Sequence, residues 1–145
     1  MTLPATMAEA LDRTLDAEAP ALRELALKIH GHPELRFEEH RAAGWISDLL
    51  SHRGHAVERP LGGLPTALRA RAGDRGPRLA ILAEYDALPE IGHACGHNLI
   101  AAGAVGAFLA LAPVAEANGF TVELVGTPAE EGLSLIHISE PTRPY

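Results

Sequence analysis

Leu79-Ala80-Ile81-Leu82-Ala83-Glu84-Tyr85-Asp86-Ala87-Leu88-Pro89-Glu90-Ile91-Gly92-His93-Ala94-Cys95-Gly96-His97-Asn98 decides how the rest of the chain is read. An apolar run passes into a loop, and an alanine- and glycine-rich run follows over 99–112. That order predicts a buried strand, a loop and a helix. In an α/β sheet, ligands bind at loops leaving the carboxyl ends of strands. This loop holds the chain's one cysteine and two of its eight histidines. Cys95 and His97 lie two apart, so an extended backbone points both side chains the same way, and both can reach one ion. Asn98 stands where the helix needs an N-cap. A lone Cys is more often a small buried hydrophobe, and a loop His a solvated one, so this pair alone does not make a metal site.

A second acidic stretch adds weight. Thr121-Val122-Glu123-Leu124-Val125 reads as another strand and runs into Gly126-Thr127-Pro128-Ala129-Glu130-Glu131-Gly132. Adjacent carboxylates at a strand end are costly to desolvate together, so they are exposed or balanced by a cation. One strand end with Cys and His and another with Glu-Glu can converge on one ion.

Four stretches, taken together, carry a family resemblance: His32-Pro33-Glu34-Leu35 with Phe37-Glu38-Glu39, Glu84 to Pro89, His93 to Asn98, and Pro128 to Gly132. With them the chain resembles the N-terminal part of the catalytic domain of the metal-dependent amidohydrolases and peptidases. That family includes aminoacylases, carboxypeptidase-G-like enzymes and indole-acetyl-amino-acid hydrolases. Glu84-Tyr85-Asp86 and Asn98 resemble the dipeptidase and aminobenzoyl-glutamate-hydrolase branch. The resemblance implies an α/β fold: part of a three-layer αβα catalytic domain, cut before the lid or dimerisation domain. It implies hydrolysis of an amide bond in a dipeptide or N-acyl amino acid by a metal-activated water. Cys95, His97 and Glu131 would be ligands of one or two divalent ions, with zinc first and manganese or cobalt tolerated. Glu130 would be the general base. Asp86 would orient a ligand such as His97, and Glu84 either does the same or is structural. His93 reads as loop structure. Two further histidine ligands would come from later in a longer chain, for which the resemblance implies a homodimer. A fragment without them is expected to bind zinc weakly and to hydrolyse nothing measurable.

Outward from these motifs, 145 residues suffice for one ordinary domain with a core. Apolar residues make up 47% and mean hydropathy is near zero, a globular composition. The net charge of −7 argues against nucleic acid or an anionic membrane as partner. A single cysteine allows no internal disulfide and fits a reducing, cytoplasmic setting. No stretch reads as the roughly 18 apolar residues of a membrane span, and no secretory leader is visible.

Residues 5–30 have the leucine spacing of a helix that Gly31 ends, with Pro20 either kinking it or starting its second half. Residues 37–53 read as a second helix with the stripe Phe37, Ala42, Trp45, Ile46, Leu49 and Leu50, closed by Gly54. His-Pro-Glu between them reads as structural. Short strands are expected at 55–58 and 66–71, and a hairpin-type turn at 73–76. The Leu79 strand, apolar on both faces, reads as central. Pro113 is expected to stop the following helix at Ala112. Residues 1–132 therefore read as the catalytic-domain part. Residues 133–145 depart from the family pattern and resemble a translated sequencing-library adapter, so a non-native, disordered tail is expected there. The alternative to a hydrolase is a non-catalytic metal-binding or thiol redox module built on Cys95.

Overall fold

The computed structural model describes residues 5–132; the expectation of an adapter-derived tail falls outside the described residues. The first helix, α1 (Ala5–Gly31), runs unbroken through Pro20 and ends at the expected glycine. Next come α2 (His40–His52), β1 (Val57–Glu58), β2 (Leu68–Ala72) and β3 (Arg78–Glu84). The chain closes with α3 (His97–Asn118), β4 (Thr121–Thr127) and a short 3₁₀ turn at Glu130–Gly132.

The sheet order is β1-β2-β4-β3, with β3 and β4 parallel and the other pairs antiparallel. β3, α3 and β4 thus form a βαβ unit, the arrangement expected when a helix returns the chain to a parallel strand. Leu68, Ala70 and Ala72 of β2 stand beside Gly126, Leu124 and Val122 of β4, and Ala83 and Ile81 of β3 complete that face. α3 packs on it, α1 packs on α3, and α2 packs against α1, α3 and the β1–β2 end. Phe108, Val105, Ile29, Ile46 and Leu50 fill the space between. Gly106 lets the two long helices meet, because a Cβ there would come 2.8 Å from Leu22 Cδ1.

Several expectations are corrected. The 73–76 turn does not join a hairpin, since β4 lies between β2 and β3. Gly73 and Gly76, both at positive φ, touch the 119–120 backbone so closely that a Cβ would collide with the carbonyl oxygens of Phe120 and Gly119. Thr121 N–H donates to the Pro77 carbonyl and its hydroxyl to that of Arg75. The turn therefore clasps the incoming strand. β3, read as central, is an edge strand among the described residues, and Leu79 and Leu82 are 46% and 54% exposed. The sheet face carrying Arg69, Arg71 and Leu82 is open, so only one helical side of the expected αβα sandwich is present among the described residues.

α2 begins at His40 rather than Phe37, because Phe37 adopts a left-handed φ of 65°. α3 starts at His97, one residue before its expected cap, behind Gly96 at φ 80°. Asn98 donates its side-chain N–H to the Ala26 carbonyl and ties α3 to α1 instead of capping. α3 also passes through Pro113 to Asn118. Proline inside a helix removes one hydrogen bond, but burial on both sides of α3 outweighs that loss. α3 does carry an 18-residue window with mean hydropathy 1.9, against the expectation of no such stretch, and 67% of the window is buried in the fold. A helix apolar all round is what a core position between sheet and helix demands.

Candidate metal centre

Because β3 and β4 are parallel, their carboxyl ends open on the same edge of the sheet. Glu84 ends β3, Glu130 and Glu131 follow β4, and His97 opens α3 between them. The positive end of α3 points at these acids, where anionic groups are favoured.

His97 is 4% exposed. Its Nδ1 lies 2.9 Å from the Asp86 carbonyl and 3.0 Å from Asp86 Oδ1. Both partners are acceptors, so Nδ1 carries the proton in the neutral ring, and the lone pair is left on Nε2. Nε2 faces Glu84 Oε2 at 3.7 Å, Glu130 Oε2 at 3.8 Å and Glu131 Oε1 at 3.8 Å. Asp86, 2% exposed, uses its other oxygen to accept the Glu131 N–H at 3.1 Å. One buried carboxylate thereby orients the imidazole and holds the Glu-Glu turn.

Ligand atoms of Glu84, His97 and Glu130 all lie within 4.8 Å of one another. At an effective dielectric constant near 20, two unit charges at that distance repel by about 3.5 kcal/mol. A lone pair surrounded by three carboxylates calls for positive charge, either a proton on Nε2 or a cation. The Glu130 carboxyl is held above the ordinary carboxylate range, first by burial and then by Glu84 and Glu131. Nitrogen and oxygen donors in this arrangement fit zinc, and carboxylate oxygens also suit manganese.

Cys95 is exposed and is not part of that tightest group. Its thiol is pushed up from the ordinary range, chiefly by the neighbouring Glu131 carboxylate. His93 stacks on His30 with ring centroids 6.4 Å apart, and burial pushes its pKa down. Glu84, left between two roles by the sequence, stands with His97 and Glu130 in the group that can hold an ion.

His-Pro-Glu proves structural. Glu34 accepts the N–H groups of Arg41 and Ala42, so it caps α2 from outside the helix. Its carbonyl accepts the Ala87 N–H at 2.8 Å, beside Asp86. Glu39 belongs to the stretch Phe37-Glu38-Glu39, to which the sequence pattern gave no role at the site. It is fully buried and accepts the N–H of Ala129, the residue before Glu130, at 2.9 Å. The available signal was a second acid in Phe37-Glu38-Glu39, a segment without any other need for one.

No family model matches the chain. It is 44% identical over 131 residues to the Xaa-Arg dipeptidase of Mus musculus, covering 81% of this chain and 30% of that protein. It is 35% identical over 141 residues to one of the subunits of the p-aminobenzoyl-glutamate hydrolase of Escherichia coli (strain K12), covering 84% and 29%. The solved structure of Bacillus subtilis YxeP, described as a dinuclear metal binding peptidase from the M20 family, superposes with a TM-score of 0.71 at 29% identity, covering 80% of this chain and 37% of that one. The chain spans about a third of the length of the curated relatives it matches.

Proposed function

Because the chain belongs to the metal-dependent amidohydrolase and peptidase family, over about a third of its members' length, we propose that it carries part of the site of a hydrolase cleaving the amide bond of a dipeptide or N-acyl amino acid. The observation that carries this reading is the His97 lone pair, fixed by Asp86 and faced by three carboxylates at 3.7–3.8 Å. His97, Glu131 and Cys95 would hold a divalent ion, with zinc favoured by the mixed thiolate, imidazole and carboxylate set and manganese or cobalt accepted. Glu84 would join them, a reading supported by its ligand atom lying within 4.8 Å of those of His97 and Glu130. A divalent cation in such a site lowers the pKa of water and polarises a carbonyl oxygen.

The protein's own groups handle the protons. Glu130, at the mouth of the strand ends, accepts a proton from the attacking water and returns it to the departing amine. Asp86 keeps the His97 proton on Nδ1, so the other nitrogen is free to bind an ion. Two histidines from the remainder of a longer protein would complete the coordination, and such a protein would be a cytoplasmic homodimer. The 145-residue chain, lacking them, binds zinc weakly and hydrolyses nothing measurable. A reactive-thiol module fits less well, because Cys95 is pushed up rather than down and reactive thiols need a depressed pKa.

Glu130→Gln in the full-length enzyme tests the reading. Metal content is expected to stay at the wild-type level while dipeptide hydrolysis falls by at least a hundredfold, in the range that general bases contribute, about 10²–10⁴. Turnover retained by that variant would refute the reading, whereas dipeptide hydrolysis by the 145-residue chain alone would refute only the expectation that its site is incomplete.

A further inference from the structure

The acidic segment 34–39 is the one sequence motif that the hydrolase chemistry leaves unused. It crosses beneath both strand ends that carry the site. Glu34 reaches the first through its carbonyl and Ala87 N–H. Glu39 reaches the second through its side chain and Ala129 N–H.

Glu39 occupies the N-cap position of α2 but makes no capping bond there, since Glu34 does that work. Its carboxylate is instead completely buried. Oε1 accepts two backbone N–H groups, from Phe37 at 2.8 Å and from Ala129 at 2.9 Å. Phe37 and Ala129 are both non-glycine residues in the left-handed region, at φ 65° and 62°. Such a backbone persists only where surrounding contacts over-determine it, and here a single oxygen holds both. Oε2 is buried without a hydrogen-bond partner among the described residues. A buried carboxylate kept with one oxygen unpaired is expensive, so stability alone gives little reason for an acid at this position. Directly after Ala129 the chain turns through Glu130 and Glu131, and Gly132 N–H closes the turn on the Ala129 carbonyl at 3.0 Å.

We infer that Glu39 is a positioning residue: it anchors Ala129 N–H and so sets the direction in which Glu130 and Glu131 face His97. This inference rests on the metal-site reading above. Asp86 grips the same turn one residue beyond Glu130, at the Glu131 N–H. The base is therefore held from both sides, at the residue before it and at the residue after it. Neither Glu39 oxygen need touch substrate or metal for this; it acts through the backbone of residue 129.

The test uses the 145-residue chain with cobalt(II) as probe, reading its d–d absorption band and affinity, alongside Glu39→Gln and Glu39→Leu. The amide oxygen of Gln can accept both N–H groups, so Glu39→Gln is expected to match the wild type in affinity and spectrum. Leu has similar bulk and no acceptor. Glu39→Leu is expected to bind cobalt about tenfold more weakly, with an altered band, while its circular dichroism is unchanged. Wild-type binding in Glu39→Leu, or a Glu39→Gln chain as deficient as Glu39→Leu, overturns the inference and leaves the metal site standing. Absence of any cobalt band in the wild type overturns the metal site and the inference with it. Should Glu39→Leu fail to fold, amide hydrogen exchange of the wild type decides: protection of Ala129 N–H at the level of the β4 amides supports the anchor, and exchange at loop rates refutes it.

Discussion

Asp86→Asn removes a charge and exchanges one acceptor for a donor, without changing the size of the side chain. Asp86 has two tasks, one per oxygen: Oδ1 accepts from His97 Nδ1 at 3.0 Å and Oδ2 accepts from Glu131 N–H at 3.1 Å. Asn has one acceptor oxygen. Whichever partner it serves, its NH₂ group faces the other, a donor against a donor. With the oxygen on Glu131 N–H, the amide N–H pushes the His97 proton to Nε2 and blocks the lone pair that faces Glu84, Glu130 and Glu131. With the oxygen on His97, the Glu131 N–H loses its acceptor and the turn loosens. Hydrogen bonds to charged groups contribute about 1.5–3 kcal/mol. At about 1.4 kcal/mol per tenfold, the loss of one corresponds to roughly 10–100-fold in metal affinity, the range found when the partner of a ligating histidine is removed. The His97 Nδ1 contact with the Asp86 carbonyl, 2.9 Å, survives and keeps the loss toward the lower end. Zinc affinity of the 145-residue chain, measured by competition with a chromophoric chelator, is the assay. An Asp86→Asn chain that binds zinc as tightly as the wild type would show that Asp86 does not orient the ligand.

Two further perturbations read the site and the core. The Cys95 thiol of the metal-free chain, raised chiefly by the neighbouring Glu131 carboxylate, holds less thiolate than a free cysteine at any given pH, so its alkylation by iodoacetamide is expected to reach half-maximal rate at higher pH than in a model peptide. Glu131→Gln removes the carboxylate and shifts that midpoint down; an unshifted midpoint would refute the Cys95–Glu131 link. In Gly126→Ala the new Cβ would fall 2.6 Å from Leu68 Cγ and 2.7 Å from the Tyr85 hydroxyl, which donates to the Thr66 carbonyl at 2.6 Å. Overpacking of this kind destabilises by about 1–3 kcal/mol, readable in urea denaturation, and an unchanged midpoint would show that the β2–β4 contact gives way freely.

Much of the site was legible because its chemistry is local. Cys95 and His97, and Glu130 and Glu131, lie in two short stretches, each soon after a strand, and parallel pairing then brings both stretches to one edge. Glu84 was only half legible, because a carboxylate at a strand end is bland until its neighbours are known. Glu39 was illegible: its partner Ala129 is ninety residues away, and no spacing rule reaches that far.

The sequence by itself determined most element types, the strand–loop–helix–strand order over 79–127 and which nearby side chains carry ion-binding chemistry, since these follow from hydrophobic period, turn residues and donor type within a few positions. Tertiary structure alone decided that β4 enters between β2 and β3, that Pro113 sits within α3, that Asn98 ties two helices, and which acids crowd His97. Each of those outcomes weighs a local preference against contacts between distant segments: burial of α3 on both sides outweighs its proline, and a clasp on the 119–120 backbone outweighs the hairpin that the glycines of 73–76 would otherwise favour. Such balances are settled only once the chain has packed.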